Sequence, residues 1–409
     1  MKKFICKPYK LYNKIQHYAW GTKNENAFIP KFLNVDIQKD VPYAELWIGT
    51  HPKASSEIEI DGKKIALDEI IRNYKIECLG EYVSKKFGGN FPFLLKVLSA
   101  ANALSIQTHP NKFQAEKLHK LDPRNYPDDN HKPEIAIALD SLIAIAGFRP
   151  VKEIQHNLNL LPELKNFAEE KLIYKIIKSK NIKETEEYIK ELYSNIMLKA
   201  EEEESLSECI EQIVNRLRGK GSLTFEESHF LEQYKLFGAD VGLFSLFFFN
   251  IIELKPRQGI FTGAGVPHAY IKGNIVECMA NSDNVVRAGL TNKFKDVKTL
   301  LEIIKYEFRE YDIINAEQKT DEVKYKTDAE EFEITYYRKP TGFSKKNNTL
   351  DKPSVYLVTE GIIEVKWNDK ENIRSEIYSK GESLFIPAVL GDFEIFAKEP
   401  AEYFEVIIP

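Results

Sequence analysis

The stretch Gly259-Ile260-Phe261-Thr262-Gly263-Ala264-Gly265-Val266-Pro267-His268-Ala269-Tyr270 decides the fold class. A glycine opens a short apolar strand, two further glycines turn the chain, and a proline hands over to a histidine. Gly381-Glu382-Ser383-Leu384-Phe385-Ile386-Pro387 repeats the glycine turn, the strand and the proline, without the histidine. Short strands punctuated in this way belong to sandwiches and barrels. Two related β units are therefore expected. No histidine follows His268, so only the first unit can supply imidazole ligands.

The flanking sequence fits this reading. Residues 1–150 carry short apolar runs broken by Gly and Pro, such as Phe91-Pro92-Phe93-Leu94-Leu95-Lys96-Val97-Leu98, which read as buried strands. From 151 to 237 the period lengthens. Ile189, Leu192, Tyr193, Ile196 and Met197 share one face of an amphipathic helix, and Leu206, Cys209, Ile210, Ile213, Val214 and Leu217 share one face of the next. Ser205-x-x-Glu208 reads as a capping box opening that second helix, Gly219 as its end, and Glu201 to Glu204 as a solvated acidic start. Strand texture returns with Leu246-Phe247-Phe248-Phe249, and a short helix is expected over Val297 to Tyr306. Beyond Val323, Phe332/Ile334/Tyr336 and Phe393/Ile395/Ala397 alternate as strands do. The expected class is mainly β with an α-helical insertion: two jelly-roll barrel or sandwich domains (1–150 with 240–320, and 321–409) plus a helical domain (151–239).

Composition narrows the function. At roughly 150 residues per domain, 409 residues allow two or three domains. Lys and Arg total 57 against 62 Asp and Glu, a formal net charge of −5 with no basic stripe, so nucleic acid is not the expected partner. The longest near-apolar run, Val241 to Ile252, contains Ser245 and Asn250 and falls short of the about 20 residues a membrane span needs. Met1-Lys2-Lys3 leads into only Phe4, Ile5 and Cys6, too little for a signal peptide. The cysteines (Cys6, Cys78, Cys209, Cys278) are widely spaced with no CxxC pair, so neither a disulfide framework nor a thiolate zinc site is indicated. A soluble, cytoplasmic protein is expected.

Polar residues at strand positions carry the chemistry. In Leu104-Ser105-Ile106-Gln107-Thr108-His109-Pro110 the residues Ser105, Gln107 and His109 share one face, either a solvated strand face or the lining of a polar pocket. In His131-Lys132-Pro133-Glu134-Ile135-Ala136-Ile137, Glu134 opens a nearly apolar strand, so its carboxylate needs either a basic neighbour or a metal. Together with His268 this set offers two imidazoles, a carboxylate and an amide oxygen. Two histidines and a glutamate with an open position suit zinc, while the amide oxygen leaves iron or manganese open. Lys96 interrupts an apolar run and faces either an edge or a polar cavity. The polar loop Asn281 to Lys293 either caps a helix or presents Arg287 and Lys293 to a phosphorylated substrate.

At these residues the chain resembles type I (long-form) mannose-6-phosphate isomerases. The blocks are Tyr18-Ala-Trp20-Gly21, Tyr43-Ala-Glu45-Leu-Trp47-Ile-Gly49-Thr-His51-Pro52, Phe93-Leu-Leu-Lys96-Val-Leu-Ser99-Ala, Ser105-Ile-Gln107-Thr-His109-Pro110, His131-Lys132-Pro133-Glu134, Gly265-Val-Pro-His268-Ala-Tyr270, and Glu277 through Asn281, Asp283, Asn284 and Arg287 to Thr291. They span essentially the whole chain in the family's order, and the two glycine–proline segments each resemble half of a cupin motif. The resemblance implies a catalytic cupin domain, a helical insertion and a second, metal-free cupin-like domain. It implies one Zn2+ per chain on Gln107, His109, Glu134 and His268, with Arg287, Lys132 and Glu277 as catalytic residues. Trp20, Glu45, Lys96, Ser105, Tyr270, Asp283 and Lys293 would contact substrate. Asn292 stands where relatives usually have a proline before the lysine.

The implied reaction interconverts mannose 6-phosphate and fructose 6-phosphate through an enediol, in a monomer whose partner is a small sugar phosphate. A base shuttles the carbon-bound proton, with Glu277 and Lys132 unranked for that role, and a cation stabilises the oxyanion. Two other classes stay open at this point: a cupin metalloenzyme of different chemistry, such as an iron oxygenase, and a non-catalytic sugar-phosphate-binding protein.

Overall fold

The computed structural model describes residues 4–315, 321–369 and 372–409. Helix and strand take comparable shares, so the fold is mixed rather than mainly β. A nine-stranded antiparallel sheet forms the first layer, with the central order Gly259–Thr262, Glu134–Phe148, His268–Ala280, Phe93–Ala100, Glu45–Gly49 and Lys14–Gln16. Short strands Ile106–Thr108 and Val286–Gly289 pair at the His268 end. A six-stranded and a four-stranded sheet make up the C-terminal part.

Alternation assigns each side chain to a layer. On Ala401–Ile407, Phe404 and Val406 join a core shared with Phe93, Leu95, Val97, Val276 and Cys278 of the large sheet, while Tyr403 points into a separate core between the two C-terminal sheets. The C-terminal sheets are thus packed against the first β unit through a common apolar layer. Burial of aliphatic and aromatic groups there stabilises both, at about 25 cal/mol per Å² removed from water. Tyr9–Leu11, expected in the first β domain, instead pairs with Ser383–Ile386 at the edge of the six-stranded sheet.

The helical block runs from Val151 to Phe237 and covers one face of the large sheet. Ile154, Ile189, Leu192, Ile210 and Ile213 share a single core with Ile145, Phe148, Ala269 and Val286. Several expected boundaries move. The helix containing Leu206 starts at Glu203, so Ser205 lies within its first turn and cannot cap it. Leu246-Phe247-Phe248 is helical and the strand begins only at Phe249. These phenylalanines are buried all round, so their run lacks the period that separates helix from strand. The Val297 helix stops at Ile303, and the strand expected from Leu104 covers only Ile106–Thr108.

Candidate active site

Adjacent strand ends assemble the site. Glu134 is the first residue of its strand, directly after Pro133, with Thr262 and Met279 as cross-strand partners. His268 is the first residue of its own strand and lies opposite Gln107, which in turn lies opposite Arg287. The turn delivering His268 depends on Gly265. Its φ is +80°, and a Cβ there would sit 2.6 Å from the Ile303 carbonyl oxygen.

A register irregularity aims the remaining groups. Tyr270 and Glu277 lie an odd number of residues apart, so strict alternation would place them on opposite faces. Pairing with Glu134–Phe148 is irregular between Tyr270 and Lys272 and again between Gly273 and Ile275. The pleat shifts, and both side chains line one cavity. Glu277 then stands directly opposite Lys96, and Trp47 flanks Lys96 from the other side.

His109, Glu134 and His268 are buried, and their ligand atoms lie within 4.8 Å of one another. His109 Nδ1 donates to the Asn284 carbonyl at 2.7 Å and His268 Nδ1 to the Val266 carbonyl at 3.0 Å. Carbonyl oxygens only accept, so each Nδ1 carries a proton, and Nε2 is the ring nitrogen turned inward as the available ligand atom. Those Nε2 atoms face the Glu134 carboxylate, at 2.7 Å from His268 and 3.5 Å from His109. Four acceptor atoms, the two Nε2 and both Glu134 oxygens, are buried without a hydrogen-bond donor. Acceptors converging without a proton between them fit a cation, and the nitrogen–oxygen set suits zinc. Burial, with Lys132 next, lowers the His109 pKa to about 4, which keeps the ring neutral and ligand-competent. Burial pushes the Glu134 carboxyl up, but Lys132, His109 and His268 outweigh it and hold the group well below its usual range.

The adjoining cavity measures about 520 Å³. Trp20, Glu45, Lys96, Ser105, Gln107, Lys132, Tyr270, Glu277, Arg287 and Lys293 line it. Lys132 links it to the triad, with Nζ 3.6 Å from Glu134. Lys96 is no edge residue: its ammonium is buried between Glu277 at 2.9 Å and Glu45 at 3.7 Å. Burial lowers its pKa, but Glu277 and Glu45 overcome that and raise it, so Lys96 is charged. Arg287 is half-buried, its pKa lowered by burial, and no carboxylate pairs with it among the described residues. Asp283 is absent from the cavity lining; its carboxylate meets Lys53 at 2.9 Å and His51 at 3.4 Å. Burial pushes its carboxyl up, and His51 and Lys53 hold it well below the usual range.

Sequence reasoning missed Tyr18, which stacks on Trp20 at 5.8 Å, and Leu236 and Phe237 at the end of the helix Phe225–Phe237. Apolar residues in a helical block read as core. Only the tertiary packing puts these two on the cavity wall.

Known proteins resemble the chain throughout. A family model described as "Phosphomannose isomerase type I, catalytic domain" matches residues 9–151. Mannose-6-phosphate isomerase 2 from Arabidopsis thaliana is 34% identical, covering 93% of this chain and 88% of its own length. The Homo sapiens mannose-6-phosphate isomerase is 40% identical, covering 71% of each chain. A crystal structure of a phosphomannose isomerase variant from Salmonella typhimurium superposes with a TM-score of 0.84, 28% identity and 98% coverage of both chains. A zinc-bound mannose 6-phosphate isomerase structure gives 0.82, 29% identity and 98% coverage of both. Identity of this extent, over a shared fold and a buried His–Glu–His cluster, means that the chain belongs to the type I phosphomannose isomerase family.

Proposed function

We propose that this protein is a zinc-dependent aldose–ketose isomerase interconverting mannose 6-phosphate and fructose 6-phosphate. The observation that carries the reading is the pair of imidazole Nε2 atoms turned onto a buried, ionised carboxylate, beside a cavity where Arg287 has no carboxylate partner among the described residues. Gln107, His109, Glu134 and His268 would hold one Zn2+. When bound, the ion supplies Lewis-acid stabilisation of charge on a sugar oxygen.

The chain's own groups do the rest. A proton must pass between C1 and C2 of the sugar, and the acceptor must line the cavity. Glu277, held by Lys96, offers a carboxylate for this, and Lys132, 3.6 Å from Glu134, is the other candidate. Arg287 has no carboxylate partner among the described residues and is free to stabilise the enediolate oxygen. Lys96 spends its charge on two carboxylates, so Lys293 and Ser105 are the better candidates for the phosphate. Trp20 forms the wall against which the sugar packs. Asp283 acts behind the cavity through His51 and Lys53.

In the same reading both β units are cupin barrels, residues 1–150 with 240–320 (less Tyr9–Leu11) and 321–409, and 151–239 is a helical insertion within the first. The second unit is metal-free, since no histidine follows His268. The enzyme works as a cytoplasmic monomer; its free cysteines suit a reducing compartment. Among the described residues, no helix is long and apolar enough to cross a membrane.

A coupled assay for fructose 6-phosphate formed from mannose 6-phosphate, with and without chelator, tests the function. Turnover lost on chelation and restored by zinc is expected. Chelator-resistant turnover refutes the metal role, and no turnover with either sugar phosphate in zinc-loaded protein refutes the isomerase. Oxygen consumption would point to an oxygenase instead.

A further inference from the structure

We infer that Asp240, outside the cavity, is a positioning residue that clamps the loop carrying Arg287 and Lys293 and so sets affinity for the sugar phosphate; this rests on the function proposed above. Asp240 is buried and follows the last helix of the helical block. Its Oδ1 accepts from two backbones at once: the Gly242 N–H at 2.7 Å and the Leu290 N–H at 2.6 Å. Its Oδ2 receives the Lys295 ammonium at 3.4 Å. The first bond caps its own short helical turn, as an aspartate commonly does. The second crosses to a different segment and has no capping role.

The segment it grips is a strained one. Leu290 is held at φ +51°, a left-handed conformation that a leucine adopts only under constraint. Gly289 packs against Gly242 so closely that a Cβ on either would fall within 2.6 Å of the other segment's backbone. Two appressed glycines with a carboxylate stapling them fix the chain immediately after Arg287 and immediately before Thr291, Asn292 and Lys293, all of which line the cavity. Leu236 and Phe237, on the helix leading to Asp240, line the same wall. One carboxylate thus locks together the two segments on that side of the cavity. The glycine contact alone cannot do so, since it repels at short range and attracts weakly.

The test uses the full-length zinc-loaded protein and the variants Asp240→Ala, Asp240→Glu and Asp240→Asn. Asparagine keeps the Oδ1 acceptor; glutamate keeps the charge but moves it by one methylene. In Asp240→Ala and Asp240→Glu, KM for mannose 6-phosphate should rise about tenfold or more with kcat changed far less. In Asp240→Asn, KM should return to within about threefold of wild type, because both backbone bonds survive. Amide exchange in peptides spanning 286–296 should quicken in the first two variants and stay slow in the third, with zinc content unchanged throughout. Unchanged KM and exchange in folded Asp240→Ala overturns the inference, as does Asp240→Asn impaired to the same degree. If Asp240→Ala does not fold, Asp240→Glu decides by the same criteria. If the wild type turns over no sugar phosphate, the functional reading fails, and exchange at 286–296 still reports whether the clamp exists.

Discussion

Glu134→Gln isolates the charge at the centre of the buried cluster. The substitution keeps shape and volume and removes one negative charge. In the wild type that charge faces His268 Nε2 at 2.7 Å, His109 Nε2 at 3.5 Å and the Lys132 ammonium at 3.6 Å. A dication added to wild type meets one carboxylate and one ammonium; added to the variant, it meets the ammonium alone. Removing one partner from a buried ion pair costs about 3–5 kcal/mol. At about 1.4 kcal/mol per tenfold, zinc affinity should fall between roughly a hundred-fold and a few thousand-fold. Competition against a chromogenic chelator measures this directly, with metal content after dialysis as a second reading and circular dichroism to confirm the fold. The variant should be folded, zinc-poor and inactive in the coupled assay. Zinc affinity within tenfold of wild type would refute the argument that the Glu134 charge is what balances the ion.

Three further outcomes follow from the same geometry. Arg287→Ala should keep its zinc and lose about 10²–10³-fold in kcat/KM, the usual effect of deleting one oxyanion donor; an unchanged value removes Arg287 from the mechanism. Lys96→Met leaves Glu277 and Glu45 buried without their shared cation and should cost about 3–5 kcal/mol in chemical denaturation, most of it recovered in the triple variant with Glu45→Gln and Glu277→Gln. Asp283 has its folded pKa below the unfolded value of 3.8, so it binds fewer protons when folded and stabilises the protein above that pH. The gap in melting temperature between wild type and Asp283→Asn should therefore hold steady near neutrality and shrink as pH falls below about 4, and a gap that widens with acid would contradict the pairing with His51 and Lys53.

Much of the site was legible because its residue types are costly where they stand. Glu134 at the head of an apolar strand demanded a partner on polar-burial grounds alone, while Lys96 inside another was read as either an edge residue or a cavity residue. Which partner was not legible. Glu277 comes opposite Lys96 only through strand register, and Glu277 and Tyr270 share a cavity only because the pairing slips between them. The resemblance implied a substrate contact for Asp283, yet His51 and Lys53 lie far away in sequence and pair with its carboxylate. Helix faces with clear period, such as Ile189 to Met197, were read directly, whereas the buried phenylalanine run before Phe249 carried no period to read. The mixed character of the fold followed from helices spread through the β regions that periodicity had not separated from strands.

Tyr9–Leu11 completes the edge of a sheet whose other strands all come from the last quarter of the chain. During synthesis this segment must wait, unpaired, until nearly the entire polypeptide has left the ribosome. Once it docks, Tyr9–Leu11 lies beside Ser383–Ile386, far from it in sequence. A chain lacking these first residues would expose the Ser383–Ile386 strand, whose residues are otherwise fully covered, as a bare template for pairing with a neighbouring molecule. The strand Tyr9–Leu11 thus covers what would otherwise be an open sheet edge.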